Sequence, residues 1–142
     1  MNNTSKILIV DDEPSLRSRL AEKARGDNRE VTEATSAKKA IQLIQENDFA
    51  AIITDLRMET DTSGIDVLEA AKNKSPYTQV LIVTAYGDKD ISWKCMSMGA
   101  FDYLERNQPG TDFFAMVKAK LDLALEFHEL KLSKYVSEEE SL

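Results

Sequence analysis

Three short runs, at residues 7–10, 50–53 and 80–83, consist almost wholly of large or branched apolar residues at consecutive positions. A strand with one wet face alternates apolar and polar residues, so continuous runs of this kind need burial on both faces. Parallel strands covered by helices on both sides provide it. Two further strand candidates, 29–34 and 101–104, mix polar with apolar residues and read as the edges of the sheet.

Helical spacing fills the gaps between the strands. Pro14 opens a segment carrying Leu16 and Leu20 that stops near Gly26. Ser36 is placed to cap a second, with Ala37, Ala40, Ile41 and Ile44 on one face. A third runs over about 64–74, before Pro76. A fourth starts near Asp88 with Ile91, Cys95 and Met98 on one face, and a fifth follows Pro109-Gly110 from Thr111. Five strand–helix units with edge-like strands 2 and 5 predict an α/β fold: a doubly wound, five-stranded parallel sheet of flavodoxin-like order 2-1-3-4-5.

The 142 residues suit one core, and the net charge of −7, from 25 acidic against 18 basic residues, argues against direct nucleic-acid binding. Cys95 is the sole cysteine, which fits a reducing compartment. The apolar run after the polar start is too short for a signal peptide or a membrane span, so a soluble cytoplasmic protein is expected.

The acids carry the functional information. Asp11, Asp12 and Glu13 follow the first apolar run directly, and Asp55 follows the third strand. In open α/β sheets the working crevice lies outside the carboxyl ends of the strands. Strands 1 and 3 are neighbours in the predicted order, so Asp11, Asp12 and Asp55 should meet. Like charges so close need an offset, and a hard divalent cation with oxygen ligands, Mg²⁺, supplies one. No glycine-rich phosphate loop or dinucleotide fingerprint is present, and the lone His128 falls on the packed face of the last helix.

In order and spacing, the segments "KILIVDDEPSLR", "AIITDLRM", "SGIDVLEAAK", "VLIVTAYGD" and "GAFDYLER" resemble the receiver domains of bacterial two-component response regulators. The resemblance implies that Asp55 accepts a phosphoryl group from a sensor histidine kinase or phosphotransfer protein. It also implies that Asp11, Asp12, Asp55 and the backbone carbonyl of Arg57 hold Mg²⁺. Thr84 would bind a phosphoryl oxygen, Thr84 and Tyr103 would form the switch, and Arg106 stands at the family's lysine position. Arg57 and Tyr86 would flank the path of hydrolytic water. The fourth helix, fifth strand and fifth helix, with Trp93 and Met96 outward, would form the readout surface. Such a domain is a signalling module rather than an enzyme, and it acts on a downstream protein or on an output domain of a longer chain.

Two departures matter. Arg106-Asn107 replaces the family's lysine-proline pair, which motivates an alternative: a degenerate receiver acting as a phosphorylation-independent interaction module. The loop after Asp55 is one residue longer than usual, with Glu59 at a typical proline position; Glu59 and Asp61 are expected to be solvated. The domain is expected over 4–125, with 126–142 a helical extension ending in a frayed acidic tail. The fifth helix, read from 111 to 135 and about 37 Å long, carries one stripe of Phe113, Val117, Leu121, Ala124, His128 and Tyr135. A second stripe, Met116, Leu123, Phe127 and Leu130, has a seven-residue recurrence that predicts weak homodimerisation through this helix or the start of a signalling helix.

Overall fold

The computed structural model describes residues 4–140, with side chains through 134. Its elements alternate: β1 (Ser5–Val10), α1 (Pro14–Ala24), β2 (Arg29–Ala34), α2 (Ala37–Glu46), β3 (Ala51–Asp55), α3 (Ser63–Lys74), β4 (Gln79–Thr84), α4 (Lys89–Ser97), β5 (Asp102–Glu105) and α5 (Phe113–Glu140). The strands form one parallel sheet in the order β2-β1-β3-β4-β5, as expected, with β2 and β5 at its edges. No described helix is long and apolar enough to cross a membrane.

The continuous apolar runs feed two cores at once. Successive strand side chains point to opposite faces. Ile7, Ile9, Ile53, Leu81 and Val83 therefore pack under α1 and α5 with Leu20, Val117 and Leu121. Leu8, Val10, Ile52, Val80 and Ile82 pack under α2, α3 and α4 with Ile44, Leu68 and Cys95. Both sets are almost completely withdrawn from water, as the continuous apolar runs require, and the polar residues Thr54, Gln79 and Thr84 stand at the strand ends.

The helix starts follow their local chemistry. Pro14 occupies the first turn of α1. The Ser36 hydroxyl accepts the Lys39 N–H at 3.1 Å, and Asp88 accepts the Asp90 and Ile91 N–H groups at 2.9 and 3.0 Å. At α3 the determining residue is Gly64. A Cβ there would lie 2.5 Å from the Asp55 carbonyl oxygen and 2.8 Å from the Leu56 Cα, so only glycine lets α3 approach the end of β3. The Gly64 N–H seals that approach by donating to the Leu56 carbonyl at 2.8 Å.

The last helix outruns the sheet. Phe113, Val117, Leu121 and Ala124 are buried, and further along the His128 Nδ1 lies 2.8 Å from the Tyr77 carbonyl, a hydrogen bond in which the imidazole donates. The second stripe divides: Met116 packs against the α1–α5 core, whereas Leu123 is 52% exposed and Leu130 68%. Phe127 is partly covered, its ring centroid 5.8 Å from that of Phe101. The backbone is helical to Glu140, beyond the expected end at 135. The Tyr135 side chain, the remaining tail side chains and residues 141–142, on which the expectation of fraying falls, lie outside the described residues.

Candidate functional site

The β1 ladder carries on one residue past the strand. The Asp11 N–H donates to the Ala34 carbonyl at 3.1 Å, and this pulls the Asp11 side chain fully out of solvent. Arg17 braces the same turn, with Nη1 donating to the Asp11 carbonyl at 3.0 Å and Nε paired with Glu33 at 3.2 Å. One Asp11 carboxylate oxygen accepts the Glu13 N–H at 2.8 Å. The other, Oδ2, is buried with no hydrogen-bond partner among the described residues. Burial drives the Asp11 carboxyl up to about 6; the Glu13 hydrogen bond opposes the rise, and the charges of Asp55, Asp12 and Glu13 add to it.

Asp55 ends β3 in a half-buried position. Its carboxyl is also raised, first by burial and further by Asp12, while the Leu56 and Arg57 amides and the Arg106 charge hold it back. One carboxylate oxygen each from Asp11, Asp12 and Asp55 lies within 4.8 Å of the others. Three converging acids, two with raised pKa and one with an orphaned buried oxygen, form a donor set that fits a hard cation such as Mg²⁺.

Beside the acids a cavity of about 200 Å³ is walled by Asp55, Arg57, Thr84, Ala85, Tyr86 and Arg106, with Leu16, Val83 and Phe113 at its apolar side. The buried Thr84 hydroxyl donates to the Tyr86 carbonyl at 3.2 Å. The Arg106 N–H reaches the Thr84 carbonyl at 2.7 Å, and its guanidinium lies 3.7 Å from Glu13 across the mouth. The following loop is held from the other side, where Gly87 N–H donates to Glu105 at 3.0 Å. Tyr103 does not line this cavity. It packs against the α2–α4 core, and its hydroxyl is enclosed near Thr84 and Asp88 without a well-formed hydrogen bond. No cis peptide occurs among the described residues, in line with Asn107 standing in place of proline.

A match between residues 7–118 and the family model for response regulator receiver domains agrees with this fold and this cluster of acids. The chain belongs to that family. Among its relatives, the response regulator protein PilR of Pseudomonas aeruginosa is 35% identical over 101 residues, 71% of this chain and 22% of PilR. The photosynthetic apparatus regulatory protein RegA of Rhodobacter capsulatus is 33% identical over 122 residues, 84% of this chain and 65% of RegA. The chain thus spans about a fifth of one relative and just under two thirds of the other. A response regulator receiver domain protein from Clostridium thermocellum superposes with a TM-score of 0.75 at 30% identity, covering 89% of this chain and 98% of that one.

The receiver domain brings together most of the residues singled out from sequence: the three aspartates as one cluster, and Arg57, Thr84, Tyr86 and Arg106 around one cavity. Other contributors were not foreseen. Glu59 and Asp61 are exposed, as expected, but the Glu59 carboxylate has a role that was not foreseen: its two oxygens accept the Ala37 and Lys38 N–H groups at 2.9 and 3.1 Å, closing the N-terminus of α2. Slight desolvation pushes its carboxyl up, and these bonds outweigh that, leaving it below its ordinary value. The Glu13–Arg106 pair and the Arg17 brace were likewise missed, because each joins residues that local periodicity does not relate.

Proposed function

We propose that this receiver domain takes a phosphoryl group from a histidine kinase or phosphotransfer protein onto Asp55, with Mg²⁺ held by Asp11, Asp12, Asp55 and the Arg57 carbonyl. The observation that carries this reading is the convergence of three carboxylates within 4.8 Å, one with an unpartnered buried oxygen, beside a cavity that exposes Asp55 to Thr84 and Arg106. When bound, Mg²⁺ neutralises the repulsion between the carboxylate and the phosphoryl oxygens.

The chain's own groups do the rest. An Asp55 carboxylate oxygen forms the new bond to phosphorus as the donor's phosphorus–nitrogen bond breaks and the imidazole leaves. The Thr84 hydroxyl, now spent on the Tyr86 carbonyl, turns to a phosphoryl oxygen. Arg106 leaves Glu13, a long and partly exposed pair that costs little to break, and its planar fork suits two phosphoryl oxygens. Movement of Thr84 frees room beside the Tyr103 hydroxyl, so the switch passes from β4 to β5. Exposed Tyr86, at the cavity wall, shields the acyl phosphate from water.

The readout surface in this reading is α4, β5 and α5, where Trp93 is 79% exposed and Met96 lies open beside it. The signal goes to a downstream protein or to an output domain of a longer chain, in the cytoplasm, and the domain changes state rather than turning over a substrate. Residues 4–125 are the receiver unit and 126–142 an extension whose exposed stripe supports weak pairing with a second copy through α5.

The test is the intact mass after incubation with a small phosphodonor and Mg²⁺. One added phosphoryl group is expected. No addition to a protein shown separately to bind Mg²⁺ would reject phosphoacceptance.

A further inference from the structure

Glu59 is the residue whose role the site itself leaves unexplained. Its carboxylate bonds the first two amides of α2, yet that helix already has a cap, the Ser36 hydroxyl on the Lys39 N–H at 3.1 Å. The two caps serve different amides, Ser36 that of Lys39 and Glu59 those of Ala37 and Lys38. They differ in what they reach: Ser36 belongs to the same turn, whereas Glu59 comes from the β3–α3 loop, four residues beyond Asp55.

That loop is tied at both ends, and in its middle Met58 packs against the α2–α4 core while its N–H donates to the Thr60 carbonyl at 3.1 Å; among the described residues, only Glu59 hydrogen-bonds it to α2. At its start the Leu56 N–H donates to the Val83 carbonyl at 2.9 Å and the Leu56 carbonyl accepts Gly64 at 2.8 Å. At its end the Ser63 hydroxyl accepts the Thr60 N–H at 2.8 Å. Arg57 lies between these anchors, exposed and beside the acids. On the opposite side of the cluster, Asp11 is tied through its N–H to Ala34, three residues before α2 begins. The bonds from Glu59 to Ala37 and Lys38 therefore complete a ring: Asp11, the end of β2, the start of α2, Glu59, the loop, Asp55.

We infer that Glu59 is a positioning residue for the acid cluster: by stapling the β3–α3 loop to α2 it fixes the Arg57 backbone relative to Asp11 and Asp55, and so sets divalent-cation affinity. It replaces, with two hydrogen bonds to a neighbouring helix, the stiffness that a proline at this loop position would supply. The Glu59 carboxylate is spent on the α2 amides and does not itself join the donor set. Groups that orient metal ligands without touching the ion commonly govern affinity as much as tenfold or more.

The inference rests on the proposed reading of the cluster as a Mg²⁺ site, so the test separates the two. Mg²⁺ binding is measured by calorimetry on the wild type, Glu59→Ala, Glu59→Gln and Ser36→Ala, at a temperature where circular dichroism shows all four folded. Hydrogen exchange of residues 56–60 is followed without metal. Glu59→Ala should bind Mg²⁺ about tenfold more weakly and exchange faster over 56–60. Glu59→Gln, whose amide oxygen accepts one of the two N–H groups, should fall between it and the wild type. Ser36→Ala should lose thermal stability with affinity and loop exchange unchanged. Wild-type affinity in Glu59→Ala, or an equal loss in Ser36→Ala, overturns the staple. If the wild type bound no Mg²⁺, the cation-site reading would fall, and unchanged exchange in Glu59→Ala would still reject the staple independently.

Discussion

The carboxyl end of the sheet and the outer stretch of α5 break the usual sorting of side chains in opposite directions. Around Asp55, charged groups are withdrawn from water: Asp11 is fully buried and keeps one oxygen without a partner. Along α5, apolar groups are offered to water: Leu123, Phe127 and Leu130 are each at least 42% exposed on the face turned away from the sheet. Each arrangement is unfavourable in the isolated chain. In the proposed function each is relieved by binding, of a cation and phosphoryl group at one end and of an apolar surface at the other. The difference lies in specificity. The acids are fixed by buried strands to within a few ångströms, while the stripe is only a periodic pattern on a solvated helix.

The sharpest way to break the comparison is Asp55→Asn. It should abolish phosphoryl labelling completely while leaving the α5 stripe as it is; labelling that persists in the variant, read by intact mass, would take Asp55 out of the role.

Next in size is Gly64→Ala. The added Cβ meets backbone atoms of Asp55 and Leu56 rather than a flexible side chain, so a loss of about 3 kcal/mol in chemical denaturation is expected, together with weaker Mg²⁺ binding. A stability within experimental error of the wild type would show that α3 can retreat without cost.

A smaller effect should come from pH. The Asp11 carboxyl is raised to about 6 in the folded chain, so the folded state binds this proton more tightly than the unfolded state. The stability contributed by that proton is present at low pH and is lost as pH rises through about 6. Relative to Asp11→Asn, the metal-free wild type should therefore lose thermal stability between about pH 4 and pH 6, with little further change up to pH 7.5. Added Mg²⁺ should restore it at pH 7.5 and do little at pH 5, where protons compete for the same oxygens. Parallel pH profiles for the two proteins would contradict the assigned environment of Asp11.

Smallest for folding is the double change Leu123→Glu and Leu130→Glu. Both residues are exposed, so stability should move by no more than about 0.5 kcal/mol, while self-association at high concentration, followed by sedimentation with and without a phosphoryl mimic, should be lost. Identical monomeric profiles for wild type and variant would reject pairing through α5.

What was legible in the sequence, and what was not, divides along the same line. The strands, their order and the acid cluster could be read because burial on two faces leaves continuous apolar runs, and because strand ends in such a sheet are a known meeting place. The outward stripe of α5 was equally visible as a period. The bonds of exposed Glu59 were missed because its partners, the Ala37 and Lys38 amides, are identical in chemistry to every other backbone amide, and only the folded path of the chain selects them. Gly64 was visible only as part of a family-like segment. Its physical reason, the Asp55 carbonyl 2.5 Å from where a Cβ would stand, is a tertiary distance that no local pattern encodes.

The length of α5 gives the molecule a single rod that joins the cavity to the far side of the sheet. Phe113, its first residue, walls the cavity beside Asp55, and the packed face is pinned at Leu121 and again where His128 meets the Tyr77 carbonyl. At 1.5 Å per residue the arm from His128 back to Phe113 is about 22 Å, and the arm out to Glu140 is about 18 Å. About that outer pin, a displacement of Phe113 by about 1 Å would be carried to the far end of a straight helix as about 0.8 Å, a shift transmitted across the molecule at nearly its full size.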